Sequence, residues 1–499
     1  MIVIAGGGPN GLMLACELAL SGTKPVVLER LTERSGEPKA NGMVGQVVRL
    51  LHQRGLLRRL SGEEAPFRTP QFMFGMLPLD LSSVPDNPLT ICVVPQRRVE
   101  QVLEERAVEL GVEIRRGHEV TAFTQSESGV DVQVRGPDGS YELSADFLVG
   151  ADGGSSTVRK LAGIGFPGVS TENGVVRVAH VALPDRVDGS LEVPGHGRIP
   201  PAVHTRTEHG VFFHIDLGQG NPMLMTVEWD PADDGPMTLD EMRESIRRVL
   251  GADVRIGPPD GEGPHLLRRT SGGNTRIAER YRSGRVFLVG DAAHVHSAMG
   301  GPGLNLGLQD AANLGWKLAA HVHGWAPDGL LDTYETERRP AAERVVLHTQ
   351  AQSALTGPGP EVTALRAFFA ELMAGVDVAT HIAETMAGSD IRYPMGTNHP
   401  LVGRFLPELG RVGVLADGRP LLLNFARTAA LKDIAADWAD RVDVVGIDVA
   451  VESTDVRADV LLVRPDGYVA WAGDGVLSGL REELATWFGT RGVLATVTA

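Results

Sequence analysis

The stretch from Arg285 to Leu318, RVFLVGDAAHVHSAMGGPGLNLGLQDAANLGWKL, gathers residue types that can do chemistry. Arg285 to Val289 is a short apolar run of strand character that ends at Gly290-Asp291. Asp291 is then a carboxylate at a strand tip, placed to accept hydrogen bonds from a sugar hydroxyl. Gly300, Gly301, Gly303 and Gly307 let the backbone approach a flat ligand. A helix from about Leu304 would aim its free N–H groups and positive dipole end at an anionic or electron-accepting group. His294 and His296 lie in the same loop, but no third ligand accompanies them. Their spacing therefore reads as structural or ligand-proximal, and no metal site is expected.

A second set sits at the N-terminus. Ile2 to Ala5 is an apolar strand running into Gly6-Gly-Gly-Pro-Asn-Gly11, so Gly6, Gly8 and Gly11 fill a GxGxxG pattern. The first glycine makes the turn, the second admits a pyrophosphate and the third lets helix pack on strand. Leu12 to Leu20 has helical composition. Pro25 to Leu28 is a second strand ending in Glu29, near the 20-residue spacing of a ribose-binding acid. Arg30 beside it either stacks on adenine or faces solvent. Phe147 to Arg159 repeats the design: a strand, the turn at Asp152, and a helix that Ser155, Ser156 or Thr157 could cap. Asp152 is either a site residue or a turn stabiliser.

These tips must meet at one ligand, so the dinucleotide domain is expected to be discontinuous: 1–69, 93–175 and 272–343. Residues 70–92 and 176–271 would form an inserted, sheet-based substrate domain. Val175–Leu183, Val211–Asp216 and Met223–Trp229 read as strands. Phe212, Phe213, His214, Met223, Met225 and Trp229 are candidates to line an apolar pocket, with plain sheet core as the rival for each. Residues 344–391 read as a helical connection, with Phe368, Phe369 and Met373 as packing candidates. In 392–499, strands at Leu421–Phe425, Val442–Ile447 and Val460–Trp471 alternate with helices at about Ala430–Ala439 and Gly479–Phe488. A Pro-Asp-Gly turn marks a hairpin in the last strand run.

Composition narrows the function. A net charge of -16 does not suit a nucleic-acid binder, which needs a basic face. No apolar run reaches the ~20 residues that span a bilayer. The chain begins directly in a strand, without signal-peptide organisation, and a cytoplasmic location is expected. The two cysteines, Cys16 and Cys92, form no CxxC pair, which excludes a disulfide reductase; Cys16 on the first helix reads as a buried core residue.

Together GGGPNG at 6–11, VGADGGSSTVRK at 149–160, GDAAHVH at 290–296, GLNLGLQDAANLGWKL at 303–318 and the run from Tyr334 to Pro340 resemble the flavin-dependent aromatic hydroxylases of the para-hydroxybenzoate hydroxylase type. Within that family the chain looks most like hydroxylases of polycyclic aromatic polyketides and the rifampicin-type monooxygenases. The resemblance implies an α/β fold: a Rossmann-like FAD-binding domain, an inserted β-sheet substrate domain and a thioredoxin-like C-terminal domain. Lacking redox cysteines, that last domain would be structural or oligomer-forming, which admits a homodimer. By the same resemblance Gly6, Gly8 and Gly11 hold the FAD pyrophosphate and Glu29 the adenosine ribose. Gln96, opening a helix that reaches about Leu110, contacts the flavin side of FAD; a solvent-exposed polar first turn is its rival. Asp152 belongs to a motif tied to FAD and NADPH, Asp291 holds the ribityl or pyrophosphate region, and Gly303, Leu304 and Asn305 lie near the flavin pyrimidine carbonyl.

Three departures from the family pattern stand out. Lys39 and Gln46 occupy positions where relatives carry arginine, and lysine holds a phosphate or flavin less rigidly. In the loop Ala298, Gly300, Gly301, Pro302, which would border flavin and substrate, relatives often have proline in place of Ala298 and glutamine in place of Pro302. The implied reaction is reduction of FAD by NADPH (or NADH), formation of a C4a-hydroperoxyflavin with O₂, and oxygen transfer to an aromatic ring. Flavin, not side-chain acid–base groups, carries that chemistry. A Baeyer–Villiger oxygenase or an antibiotic-inactivating monooxygenase on the same scaffold, and a non-catalytic binder of a hydrophobic metabolite, are the alternatives. A halogenase is disfavoured, since no Trp-x-Trp-x-Ile stretch occurs.

Overall fold

The computed structural model describes residues 1–37, 39–216, 218, 221–229, 235–263, 265–297, 299–397, 399–408, 415–447, 458–475 and 477–490. Its central sheet has six strands in the order Arg282–Ser283, Val286–Leu288, Phe147–Gly150, Ile2–Ala5, Val26–Glu29, Glu113–Arg116. All neighbours after the first pair run parallel. Ile2, Val3 and Ile4 are fully buried, as are Leu148, Val149 and the whole of Val286–Leu288. Such continuous apolar strands are what a parallel sheet covered on both faces requires. One cover is the pair of helices Pro9–Leu20 and Pro302–Val322, which cross where Gly315 meets the backbone of Glu17-Leu18. Register sets the function of this sheet. Ala5 pairs with both Gly150 and Leu28, and Gly150 pairs with Leu288. The strands therefore end level, and the segments that follow them leave from one edge.

The second six-stranded sheet is antiparallel, in the order Thr205–Arg206, Gly210–Ile215, Met223–Glu228, Gly168–His180, Leu267–Ile277, His294–Val295. The helix Leu239–Leu250 covers one face, burying Met242, Ile246 and Val249 against Phe212 and Leu224. Two long strands, Gly168–His180 and Leu267–Ile277, continue through the positions expected for domain boundaries, pairing from Gly168–Arg276 to Ala179–Leu267 with one register shift between Thr171 and Val175. The last short strand, His294–Val295, pairs with Arg276–Ile277 and ties this sheet to the loop after Asp291. The hairpin Gln71–Phe74 and Leu77–Asp80 joins the helices Pro360–Met373 and Val376–Ala387 in a smaller apolar core. Met373 is buried there and Phe369 lies 5.8 Å from Phe74, but Phe368 points to solvent, 60 % exposed, and is not a packing residue.

The C-terminal segment forms a four-stranded sheet in the order Asp443–Gly446, Leu421–Asn424, Val460–Val463, Val469–Gly473. The first pair is parallel and the other two are antiparallel. Its core is continuous with that of the first domain. The join is ionic as well as apolar. The hairpin turn inserts Arg464 and Asp466 beneath the helices Pro302–Val322 and Thr333–Ala354. Arg464 forks onto Glu337 at 2.6 and 2.7 Å, and Lys317 reaches Glu337 at 2.7 Å, all fully or almost fully buried. Arg464 also lies over Trp316 and Trp487. No helix among the described residues is long and apolar enough to cross a membrane.

Candidate active site

Because the strands end level, the three sequence motifs converge on one cleft of about 870 Å³. That is a common size for a small-molecule or cofactor site. Its wall includes Gly6, Gly8, Glu29, Arg30, Lys39, Gln96, Asp152, Asp291, Gly301, Gly303 and Leu304. Gly6 adopts φ +114°, and a Cβ there would meet the carbonyl oxygen of Ala151 at 2.3 Å, so only glycine makes this turn. Gly11 lies beneath the wall: its Cβ would come within 2.0 Å of the Gly6 oxygen. At Gly8 nothing lies within 4 Å, so the missing side chain leaves free room in the cleft. These are the turn, approach and packing roles of a pyrophosphate loop, and they fit a bound dinucleotide.

Glu29 accepts from the Gly7 N–H at 2.7 Å and from the Leu31 N–H at 2.8 Å. Each oxygen keeps a second lone pair for a ligand hydroxyl. Arg30 is exposed at the rim, as is Lys39. Asp152 is committed locally. It takes the Ser156 hydroxyl at 2.5 Å and the N–H groups of Thr157 and Val158 at 2.7 and 3.1 Å, while Ser156 caps the same short helix through the Arg159 N–H. Its chief work is thus holding the turn. Gln96 begins the helix Gln96–Glu109, with its side-chain amide donating to Glu100 at 2.8 Å.

Asp291 follows the strand tip in a single 3-10 turn, Gly290–Ala292. Water reaches it through the cleft mouth, yet the surrounding walls desolvate it. That desolvation raises its carboxyl above the ordinary value, against the opposing pull of His294 and Lys39. Gly301, at φ +70°, precedes the helix Pro302–Val322. Gly303 and Leu304 then present first-turn N–H groups, which have no partner within the helix, to the cleft. A Cβ on Gly303 would touch only His296, at 3.6 Å.

Several expected site residues lie elsewhere. Asn305 faces away from the cleft, its side chain accepting from Val44 N–H at 3.1 Å and donating to Gly301 O at 2.9 Å; it braces the loop. Gly300 abuts Met386, where a Cβ would come within 2.5 Å of its methyl, and Pro302 lines a second small cavity behind the helix start. Ala298 lies outside the described residues. In the substrate sheet, Phe213 pairs with Met225 while Phe212 pairs with Thr226 and His214 with Leu224. Alternation therefore separates them. Phe212 is packed against the covering helix, and His214, on that same face, bonds the Ile199 carbonyl, so neither belongs to the surface holding Met225. The opposite face gathers Met76, Val211, Met225, Val227, Trp229 and Met299. Phe213 on this face stacks on His204 at 4.3 Å, and Met223 reaches Asn41, a cleft residue, at 3.8 Å.

The sequence reading missed the ionic core behind the site. Asp310, fully buried, accepts from His294 Nε2 at 2.6 Å, Arg338 Nε at 2.8 Å and the Gly290 N–H at 3.2 Å. Burial alone would raise its pKa; His294 and Arg338 outweigh that and hold it below the usual carboxylate range. The available signal was a lone acid within the apolar helix LGLQDAANLGWKL, which forces a buried partner. Among the described residues no His, Cys, Asp and Glu cluster is arranged to hold a metal. Cys16 is buried, its thiol 3.4 Å from the Leu103 carbonyl.

Comparison with known proteins accords with this geometry. Residues 1–349 match the family model described as FAD binding domain, and residues 399–490 match that of the aromatic-ring hydroxylase C-terminal domain. The chain is 42 % identical to the anhydrotetracycline monooxygenase of Streptomyces rimosus over 98 % of both chains. It is 40 % identical to a rifampicin monooxygenase of Streptomyces venezuelae, again over 98 % of each. The solved structure of the OxyS anhydrotetracycline hydroxylase from Streptomyces rimosus superposes with a TM-score of 0.86 at 40 % identity, covering 98 % of this chain and 99 % of that one. With its glycine cradle, level strand tips and matching family models, the chain belongs to the FAD-dependent aromatic-ring hydroxylases, a family of flavoprotein monooxygenases.

Proposed function

We propose that this enzyme hydroxylates a polycyclic, polyketide-type aromatic substrate at the expense of NAD(P)H and O₂. The observation that carries the substrate class is the apolar sheet face on which the half-buried Met225, Trp229 and Met299 pack over the buried Met76, Val211 and Val227, and one end of which meets the cofactor cleft through Met223 and Asn41. Thioether side chains adapt to broad, flat apolar ligands. The relatives named for anhydrotetracycline and rifampicin act on molecules of that breadth. Bound FAD supplies electron storage, O₂ activation and oxygen transfer. The chain's own residues do the rest. Gly6, Gly8 and Gly11 admit the pyrophosphate and Glu29 takes the ribose hydroxyls. Asp291 and the N–H groups of Gly303 and Leu304 fix the flavin half, with Lys39 and Gln96 at its rim, while Arg30, next to Glu29, flanks the adenosine half. The methionine face orients the ring and excludes water.

The C-terminal sheet supports a thioredoxin-like reading, because one parallel pair is extended by two antiparallel strands in that order. With both cysteines of the chain outside it, its role is structural. The test is NADPH consumption by the flavin-loaded enzyme against a panel of linear and angular polycyclic phenols plus rifamycins. Stimulation by a polycyclic phenol, with a product heavier by one oxygen atom, is expected. Stimulation by rifamycins alone would move the role to drug inactivation. No stimulation by any member would overturn the substrate class.

A further inference from the structure

The apolar face of the second sheet ends at two cations that the fold does not neutralise. Arg206 pairs with Val211 across the strands Thr205–Arg206 and Gly210–Ile215, and directly opposed residues share a face. Arg206 therefore borders the face of Met76, Val211, Met225 and Val227. His204, two residues earlier, stacks on Phe213 of that face at 4.3 Å. The second cation comes from the helix Pro360–Met373. Arg366 clamps the tip of the hairpin formed by Gln71–Phe74 and Leu77–Asp80, donating to the carbonyls of Gly75 at 2.7 Å and Met76 at 3.4 Å, and to that of Leu355 at 2.6 Å. Arg206 donates to the Gly357 carbonyl at 2.7 Å and to the Thr363 hydroxyl at 3.0 Å, one turn from Arg366 on the same helix.

Each of these acceptors is neutral. Among the described residues no carboxylate pairs with either guanidinium. Both side chains are half-buried, so water screens them incompletely. Burial, and then Arg206 beside it, lower the pKa of Arg366. Burial, and then Arg366, bring His204 from 6.5 to about 4, so this ring stays neutral. The Nε of Arg206 is buried without a partner. An amide side chain would brace Gly357 and Thr363 without the repulsion, so bracing alone does not account for two adjacent guanidiniums. An anion does, since half-buried charges call for a counter-charge. Each terminal nitrogen of Arg206 keeps a second N–H, and such a fork suits a charged oxygen acceptor.

Position selects the ligand. The strand of Met225 lies two strand spacings from that of Arg206, about 10 Å, and Met223 on the former reaches the cofactor cleft. A flat fused-ring molecule laid on the face from cleft to edge carries its far end to Arg206 and Arg366. We propose that these two arginines form an anion subsite, which takes a carboxylate or an ionised ring hydroxyl at the end of the substrate remote from the ring that is oxidised. This rests on the reading of the sheet face as the substrate site.

The measurement is equilibrium binding to the flavin-loaded enzyme, followed by the change in flavin absorbance, with two matched pairs of probes. One pair is anthraquinone-2-carboxylate and its 2-carboxamide. The other is alizarin, ionised in mildly alkaline buffer, and its 2-methyl ether. The wild type is expected to prefer the charged member of at least one pair about tenfold, the worth of one hydrogen bond to a charged group. Arg206→Gln should abolish that preference while the neutral members bind as in the wild type, and Arg206→Lys should retain most of it. The pair that loses its preference tells carboxylate from phenolate. Because the ratio is taken within each protein, a loss of folding stability common to both members cancels. A wild type with no preference in either pair, or an Arg206→Gln protein whose preference is intact, overturns the proposal. A wild type that binds no member of either pair overturns instead the reading of the face as a polycyclic site, and the subsite with it.

Discussion

Asp291 and Asp310 both lie beside His294, and their electrostatics run in opposite directions. Asp310 has two cationic or proton-sharing partners and stays ionised; Asp291 has a desolvating wall and a carboxyl shifted upward. Asp291→Ala should accordingly give a folded protein with little bound FAD, read from the flavin absorbance after purification; full flavin retention would remove Asp291 from the cofactor site. Asp310→Asn should leave Arg338 buried without its counter-charge and cost about 3–5 kcal/mol in urea unfolding. Acid sensitivity resides in other residues. Burial holds His348 and His296 neutral, with pKa values lowered from 6.5 to about 4. The unfolded chain then binds more protons than the folded one between these values, so stability falls as pH drops from 6.5 towards 4. For the more deeply buried His348 the loss is roughly 3 kcal/mol at most, and His348→Gln should flatten the acid limb of the melting profile. At this scale the sequence was legible wherever backbone geometry demands one residue type, as at Gly6 and Gly11. Asp152 was legible as a motif member and as a turn stabiliser, without a choice between the two, whereas the bracing task of Asn305 was not legible. Local hydrogen bonds and ligand contacts favour the same small polar residues.

Elements were easier to read than the faces they present. The strands Gly210–Ile215 and Met223–Glu228 were expected within a residue of their ends. Which side faced the site was not, because both faces of Gly210–Ile215 are buried, one under the helix Leu239–Leu250 and one under Met76 and Met299. Hydrophobic alternation then carries no sign, and Phe212 and His214 looked equivalent to Phe213. The glycine turn after Ile2–Ala5 yields a sharper prediction at this scale. Gly8→Ala meets no atom, so the protein should melt near the wild-type temperature while FAD affinity drops at least tenfold. Gly11→Ala drives a Cβ into the Gly6 carbonyl, so the loop and helix must separate and soluble expression should fall sharply. Equal effects of the two changes on melting and on FAD affinity would contradict the division between approach and packing glycines.

The molecule as a whole is closed by a turn that looked like surface. Pro-Asp-Gly was read as a hairpin signal, and the hairpin is there. Its charged neighbours were unremarkable in sequence, since Arg and Asp at a turn are usually solvated; only the fold shows that they enter the neighbouring core. Arg464→Met should cost about 3–5 kcal/mol by stranding Glu337 and Asp466, and unfolding should remain a single transition by both flavin release and circular dichroism. Two separate transitions would show that the C-terminal sheet is not built into the same core. The arrangement also governs how the chain is made. Glu337 and Lys317 leave the ribosome well before Arg464, and at 5–20 residues per second the interval is on the order of ten seconds. During it, the helix whose first turn faces the cleft has an unfinished underside, with an anion and a cation awaiting their third partner. A chain terminated early would carry every glycine of the cofactor cradle and still be marked for clearance by the charges it cannot bury.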